Sequence, residues 1–334
     1  MVRRGTGWWR GAVATAAVVV ALGATAAWSQ AKVTKVAMLF IGPINDGGWN
    51  TANYEGLMQA REASKLETVF SEAVHLPDVE STARDFAARG YQLVLGNSFA
   101  FGDGINRAAA AYPSTKFAVL TGIAKTAPNV SSYFPLINEA GFLAGALAGM
   151  MTKTGKIGAI GAQEIPTLVF QIEAYKLGAK HTRPDVRIFD VYTGSYSDVA
   201  KGKEAALAQI NQGADVILHV ANETGRGVIQ ACQERKVFCI GSGSDQHRLA
   251  PDVVLTSLMY NQGELIKMAI ADIEKGTFGN NVIKLGLAQN AVRIAPFHDL
   301  EAKVPAEVRK RLDQIREDII SGRIKVPEVN KRTS

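Results

Sequence analysis

The chain has 334 residues, 47% of them hydrophobic and 20% charged, and its formal net charge is +6. This length and apolar content suffice for a sizeable core, in one large domain or in two of ordinary size. Three of the positive charges, Arg3, Arg4 and Arg10, lie in a leader that contains no acid. The remainder shows no clustered basic stripe, so the composition argues against a nucleic-acid partner.

The N-terminal segment 1–31 is predicted to be a secretory signal peptide. A basic start, MVRRGTGWWR, precedes the apolar run GAVATAAVVVALGATAA, which is short for a membrane span. Small residues offer cleavage points after Ala26 or Ala31, and an N-terminal anchor helix is the alternative. No cysteine ends this segment for lipid attachment, so we expect a protein that is free in a periplasm.

Short apolar runs alternate with helical patterns along the rest of the chain. The runs are continuous, which is typical of strands buried on both faces of a parallel sheet. Strands are predicted at 33–41, 92–95, 117–120, 157–160, 187–191, 216–219, 237–240 and 253–256. Helices are predicted at 50–63, 80–89, 103–111, 138–151, 167–181, 198–212, 224–234, 262–275 and 305–321.

The repeated strand–helix units predict a doubly wound α/β fold. They divide into two sets, 32 to about 135 and 155 to about 255, which indicates two lobes with a cleft between them. In the connecting segment, Gly141, Gly145 and Gly149 recur at helical spacing, and we interpret them as a close helix–helix contact. Since ligands bind open α/β sheets at the carboxyl ends of the strands, we expect the cleft to lie there.

The stretch GPINDGGWN, residues 42–50, follows the first predicted strand and leads into a helix. Unpaired backbone N–H groups point outward at a helix start, and short polar side chains such as Asp46 and Asn50 add donors and acceptors. Trp49 offers a flat apolar face. The residues alone leave two interpretations equally open: a loop that binds a flat, polar-edged ligand, or a capped turn with Trp49 in the core.

No catalytic constellation is recognisable. The sequence has no GxSxG, HExxH or P-loop motif, and its five histidines show no metal-ligand spacing. We therefore expect a binding protein rather than an enzyme, with no cofactor and no metal. His219 ends a predicted strand, where a ligand contact and a structural role are equally open. In GSGSD (241–245), Asp245 is interpreted as a ligand-loop carboxylate, with a turn cap as the alternative.

Several segments together resemble the BMP (basic membrane protein, or PnrA-like) family of substrate-binding proteins of ABC transporters. They are INDGGWNTANYEGL, NEAGFLAGALAGMMTKTGKIGAIG, EIPTLVFQIEAYKLGAK, YTGSYSDVAKGKEAALAQINQGADVI, GSGSDQHRLAPDVVLTS and IISGRIKVP, in the family's order. The resemblance implies a type I periplasmic-binding-protein fold, two α/β lobes joined by crossing hinge segments. It also implies a purine nucleoside or base as ligand, stacked on aromatic side chains.

The resemblance places site residues in both lobes. In the first lobe, the family's aromatic–Asn pair falls on Trp49 and Asn50, with Asp46 before it, and the loop GNSFAFGD places Ser98 and Phe99 near the cleft. In the second lobe, the loop HVANETGRG and the GSGSDQ motif supply the remaining candidates. These are His219, Asn222, Thr224 and Asp245.

Two departures from the family pattern bear on the ligand. Gly243 stands where the family usually has an Asp of the kind that would hold a ribose, and a lysine often found after LTS is missing from LTSLMYNQG. The opening loop looks more like the branch suspected of binding a free base such as adenine. These features move the expectation from a nucleoside toward a free base.

The expected function is that of a periplasmic substrate-binding protein of an ABC importer, a monomer that closes its lobes on a purine and delivers it to a permease. The expected lobes are 32–135 with about 258–280, and 136–257 with about 281–300; the lobe of 301–334 is left open. The alternatives are a binding protein for a sugar or a flavin, and a secreted nucleoside-processing enzyme.

Overall fold

The computed structural model describes Met1 and residues 32–121 and 125–333. The predicted signal peptide lies outside the described residues. Within them, no helix combines the length and the apolar character needed to cross a membrane.

The described residues form twelve strands and nine α-helices. The strands are β1 (Lys35–Leu39), β2 (Glu67–Ser71), β3 (Leu93–Gly96), β4 (Lys116–Leu120), β5 (Val130–Pro135), β6 (Lys156–Gly161), β7 (Arg187–Tyr192), β8 (Val216–Val220), β9 (Phe238–Gly243), β10 (Val254–Tyr260), β11 (Val282–Leu285) and β12 (Val292–Ile294). The helices are α1 (Trp49–Ser64), α2 (Val79–Ala88), α3 (Gly102–Ala111), α4 (Ile137–Met151), α5 (Pro166–Thr182), α6 (Val199–Asn211), α7 (Thr224–Arg235), α8 (Gln262–Lys275) and α9 (Ala306–Ile320).

The strands make two six-stranded sheets, one in each lobe. The first sheet has the order β11-β5-β4-β3-β1-β2, and all its neighbouring strands run parallel. The second has the order β12-β10-β9-β8-β6-β7 and is parallel except for the antiparallel pair β10–β12. The predicted α/β architecture of two lobes is confirmed.

Eight of these strands match predicted ones, and four do not appear in the prediction. β5 reads VSSYFP, and its two serines interrupt the apolar run, although all six residues are buried inside the sheet. β2, β11 and β12 lie at sheet edges, where half-buried strands tolerate charged residues such as Lys284 and Arg293. Continuous apolar character therefore identified the interior strands except β5, and among the four edge strands it identified only β7.

The chain crosses between the lobes after β5, after β10 and between β11 and β12. The predicted lobe boundaries differ from these crossings at both ends of the segment of about 258–280, which the sequence assigned to the first lobe. β10 keeps residues up to Tyr260 in the second sheet, and β11 pairs with β5, with Val282 opposite Ser132, so it belongs to the first sheet. The reason is that a four-residue strand completes the edge of the first sheet before the chain crosses.

Helix α9, whose lobe the sequence left open, packs on α4 in the second lobe. Its apolar face contributes Val308, Leu312 and Ile315 to the core around α4, α5 and the second sheet. The tail after α9 reaches both lobes, since Glu328 pairs with Lys284 of β11 at 2.5 Å and Arg332 with Asp190 of β7 at 2.6 Å.

Helices α4 and α5 cross at close range, as the glycine spacing predicted. A Cβ on Gly145 would lie 1.9 Å from the carbonyl oxygen of Tyr175, and one on Gly178 would lie 2.0 Å from that of Phe142. Only glycine allows the two backbones to approach this far, so the small residues of α4 set the position of α5 under the cleft.

Candidate ligand-binding site

A cavity of about 400 Å³ lies between the lobes, at the carboxyl ends of strands from both sheets. This is where ligands bind in open α/β folds. The lining residues that directly end or follow strands are Asn97, Thr121, Val220, Gly243 and Tyr260. The cavity is thus formed jointly by the two lobes and depends on how closely they approach.

Trp49, the first residue of α1, lines the cavity with its ring held in place. Its indole Nε1 donates to the carbonyl oxygen of Asn97 at 2.9 Å, so its polar atom is satisfied by the neighbouring loop. The centroid of its ring lies 5.7 Å from that of Tyr260 in the second lobe, at an interplanar angle of 57°. Trp49 is therefore a partly buried, fixed aromatic wall that contacts both lobes.

Asp46 also lines the cavity, but its carboxylate is occupied by the protein itself. Its oxygens accept hydrogen bonds from the backbone N–H groups of Gly48, Asn50 and Thr51, at 2.9, 3.1 and 3.0 Å. They also accept from the side chains of Asn50, Thr51 and, across the cleft, Asn222. Asp46 caps the start of α1, which is the alternative that the sequence left open, and its negative charge lies near the positive end of that helix.

The other polar candidates of the first lobe extend this network. Asn50 Oδ1 accepts from Asn97 Nδ2 at 2.8 Å, and Asn97 Oδ1 accepts from the N–H of Ile41 at 2.9 Å. Ser98 caps the short turn that follows β3 by accepting from the N–H of Ala100. Phe99, beside it, is 47% exposed, so part of its ring lies at the surface of the cavity mouth.

The second lobe contributes a hydrogen-bonded group that the sequence did not predict. The Tyr260 hydroxyl donates to Gln171 Oε1 in α5 and shares a 3.0 Å hydrogen bond with Ser242 Oγ at the end of β9. Burial raises the pKa of Tyr260 to about 12, so it remains a neutral phenol at physiological pH. The predicted strand ended at residue 256, four residues short of Tyr260, and nothing in the sequence marks Gln171 inside its helix.

The lobes touch at the rim of the cavity. Asn222 Oδ1 accepts from the N–H of Trp49 at 3.4 Å, and Gly243 lies against the backbone of Gly48. Gly243 has a φ of +94°, and a Cβ there would lie 2.7 Å from the carbonyl carbon of Gly48. A side chain at 243 would therefore collide with the facing loop, which gives a physical reason for glycine at the position where the resembling family usually carries an acid.

The structure brings together six of the nine predicted site residues: Asp46, Trp49, Asn50, Ser98, Phe99 and Asn222. Three do not line the cavity. His219 is fully buried inside β8, and Thr224 is buried at the start of α7, where its hydroxyl donates to the carbonyl of Ser195. Asp245 caps the following turn through the N–H of His247 and pairs with His298 at 2.6 Å. For these three, position in a loop sequence did not determine the direction of the side chain.

The cavity lining holds two carboxylates, those of Asp46 and Glu223. Glu223 was not among the predicted site residues. Its carboxylate makes no hydrogen bond or ion pair among residues 32–121 and 125–333, so it remains available as an acceptor. No group of His, Cys, Asp and Glu in the described residues is arranged to hold a metal ion. The site offers aromatic walls, amide groups and one unoccupied carboxylate.

The chain is similar to known proteins over most of its length. The model of the Bmp family, ABC transporter substrate-binding protein PnrA-like, matches residues 33–330. A purine-binding protein of Brucella abortus is 31% identical over 293 residues, covering 87% of this chain and 82% of that protein. The nucleoside-binding protein BmpA of Lactococcus lactis is 28% identical, with 85% and 86% covered.

Solved structures show the same architecture. An ABC transporter solute-binding protein of Conexibacter woesei superposes with a TM-score of 0.77 at 26% identity, over 88% of this chain and 99% of that chain. The expected type I periplasmic-binding-protein fold is thereby confirmed.

Proposed function

Because this chain belongs to the PnrA-like family of ABC transporter substrate-binding proteins, we propose that it captures a purine, a free base in preference to a nucleoside, for an ABC importer. The family is one of binding proteins, whose members bind small molecules and present them to a permease. We place this protein in a periplasm and expect it to act as a monomer, after removal of the leader 1–31.

The observation that carries the proposal is the aromatic wall of Trp49 and Tyr260 in a cavity that both lobes form. Its volume of about 400 Å³ lies in the range of small-molecule sites. A planar heterocycle presents an apolar face and a polar edge, so it suits an aromatic wall beside amide and carboxylate groups. Asn50, Asn222 and Glu223 are the groups that would hydrogen-bond such an edge.

The preference for a free base is supported by the contact between Gly243 and Gly48. A ribose-binding carboxylate at position 243 has no space in this arrangement, since even a Cβ would overlap the facing backbone. Glu223 is the remaining unoccupied carboxylate of the lining, and it would accept from an exocyclic amine.

Capture would follow from closure of the lobes. A ligand that contacts Trp49 in one lobe and Tyr260 in the other binds the closed arrangement better than an open one, and therefore shifts the population toward closure. No bond needs to be made or broken, and the chain contains no recognisable catalytic motif.

The proposal is tested by thermal unfolding with adenine, adenosine, guanosine, ribose and riboflavin. A ligand that binds only the folded protein stabilises it by RT ln(1 + [L]/Kd), about 2.7 kcal/mol at a hundred times Kd. We expect adenine to raise the midpoint most, adenosine less, and ribose not at all. Stabilisation by ribose or riboflavin alone would reject a purine ligand, and release of free base from adenosine would reject the binding-only function.

A further inference from the structure

Gln246, the residue that follows Asp245, links the two lobes across the rim of the cavity. Its side-chain Nε2 donates to the carbonyl oxygen of Gly47 at 2.9 Å, and Ser244 Oγ contacts the same oxygen at 3.4 Å. Gln246 belongs to the second lobe, whereas Gly47 lies in the loop that carries Trp49. This hydrogen bond can form only when the lobes are together.

His219 determines how the Gln246 side chain is turned. Gln246 Oε1 accepts from the N–H of Ser242 at 3.0 Å and lies 2.8 Å from His219 Nε2. Because an amide oxygen only accepts, His219 Nε2 is the donor. Burial lowers the pKa of His219, so the ring is neutral and carries its single proton on that nitrogen. With Oε1 held from two sides, the amide nitrogen of Gln246 is directed at Gly47.

The environment of His219 does not suit a residue that serves only to fill space. The side chain is fully buried, and its Nδ1 has no hydrogen-bond partner among the described residues. A buried polar atom without a partner costs free energy that an aliphatic residue would not incur. The Nε2 bond to Gln246 is the only hydrogen bond that the imidazole makes within residues 32–121 and 125–333.

We propose that His219 is a positioning residue, which orients Gln246 so that its amide closes the two lobes on each other through Gly47. The inference deepens the proposed function, because lobe closure is the step that would retain the ligand. It assigns to His219, which does not line the cavity, an effect on the closed state that acts entirely through Gln246.

The first test measures the distance between the lobes without any ligand. Spin labels are placed on Asp103→Cys and Lys201→Cys, exposed positions at the starts of α3 and α6, next to the cavity mouth in either lobe. The native Cys232 and Cys239 are buried, which shields their thiols from the labelling reagent. Pulsed electron spin resonance then gives the closed-to-open ratio.

Loss of one neutral buried hydrogen bond corresponds to roughly a two- to twelve-fold change in this ratio. We expect Gln246→Ala and His219→Ala each to shift the closed-to-open ratio toward the open form by this factor. His219→Gln should restore most of the closed form, because its side-chain amide can also donate to Gln246 Oε1. Gln212→Ala is the matched control, since the side chain of this exposed glutamine donates only to the carbonyl oxygen of Ala208 in the adjoining helix α6, at 3.2 Å.

The double variant separates positioning from packing. If His219 acts through Gln246, then His219→Ala changes nothing further in a Gln246→Ala background, whereas a packing role gives additive effects. Identical distance distributions in the wild type and in Gln246→Ala, or additive effects in the double variant, would overturn the inference.

The second readout is the rate at which adenine dissociates, followed by Trp49 fluorescence in the full chain with Trp8, Trp9 and Trp28 changed to Phe. Trp49 is then the only tryptophan. We expect Gln246→Ala to raise the dissociation rate of adenine roughly two- to twelve-fold and to leave its association rate nearly unchanged. A wild type that binds no purine would reject the proposed function, while the distance measurement still decides the role of His219.

Discussion

Among single residues, Trp49 connects the two hydrogen-bond networks of the site. Its backbone N–H contacts Asn222 of the other lobe, and its indole N–H contacts the carbonyl of Asn97 in its own lobe. Both polar atoms are therefore satisfied without a ligand. The surface that Trp49 presents to a ligand is the apolar face of its ring.

We predict that Trp49→Ala weakens purine binding by at least about tenfold, because stacking contributes 0.5–1.5 kcal/mol in addition to the apolar area lost. Trp49→Phe should retain most of the affinity. Isothermal titration calorimetry measures both. Tyr54→Ala serves as the control, since Tyr54 packs on Phe70 and lies outside the cavity lining. Unchanged affinity in Trp49→Ala would place this ring in the core and outside the binding site.

Gly243 yields a prediction of the opposite kind, since here a side chain is added. Gly243→Asp restores the acid usual in the resembling family, but its Cβ would overlap Gly48 and its φ of +94° is unfavourable for any side chain. We predict at least about tenfold weaker binding of adenine and adenosine alike, with Gly243→Ala showing most of the same loss. Tighter adenosine binding by Gly243→Asp, in the same calorimetry, would contradict the steric explanation.

Among the elements, α1 shows how one loop serves both folding and the site. Asp46 binds the N–H groups of Asn50 and Thr51, two of the first donors of α1, and thereby fixes where Trp49 begins the helix. The capped turn and the ligand loop, which appeared as alternatives in the sequence, are compatible because the cap directs the indole into the cavity.

The α4–α5 pair gives a stability prediction. We expect Gly145→Ala to lower the free energy of unfolding by roughly 3 kcal/mol, because its Cβ would lie 1.9 Å from the Tyr175 carbonyl oxygen and the helices must move apart. Urea unfolding measures the change. Gly263→Ala in α8 is the control: its Cβ would lie 3.0 Å from the flexible end of Gln59, 3.3 Å from the Gly56 carbonyl oxygen and 3.5 Å from Asn261 Oδ1, so a much smaller loss is expected. Equal stability of Gly145→Ala and the wild type would mean that this contact is loose.

For the whole molecule, burial of neutral His219 couples stability to pH. Burial lowers the pKa of His219 from 6.5 to about 4. The unfolded chain takes up a proton as the pH falls through 6.5, whereas the folded protein stays neutral until about 4, so the free energy of unfolding decreases across this window. The full effect is about 3 kcal/mol, at 1.36 kcal/mol per pKa unit.

The contribution of His219 to the pH dependence of stability is obtained by comparing the wild type with a variant that lacks the imidazole. Urea unfolding of the wild type and of His219→Gln is compared at pH 7 and pH 4.5, so that the titration of carboxylates cancels. We predict that the wild type loses more stability between these two values than the variant does. Parallel losses would show that His219 is protonated in the folded protein.

The local sequence was sufficient to identify every interior strand except β5, the two lobes and the loop that forms one wall of the site. Continuous apolar runs identify strands covered on both faces, and the carboxyl ends of such strands meet at one edge, so Trp49, Asn50, Ser98 and Asn222 were predicted from position and resemblance. The edge strands β2, β11 and β12 were not predicted, because exposure on one side leaves them without that pattern, and β5 was missed because two serines interrupt its apolar run.

Tertiary structure decided the directions of side chains and the contacts between lobes. His219 turns into the core, Asp245 turns to His298, and Tyr260 reaches Gln171, 89 positions away in sequence. The contact of Gly243 with Gly48 likewise joins segments from different lobes. The first three features depend on contacts between distant segments of the second lobe, and the last depends on how two separately folded sheets meet. No spacing within a single segment encodes such contacts, whereas the pattern of burial along a strand is determined by its own residues.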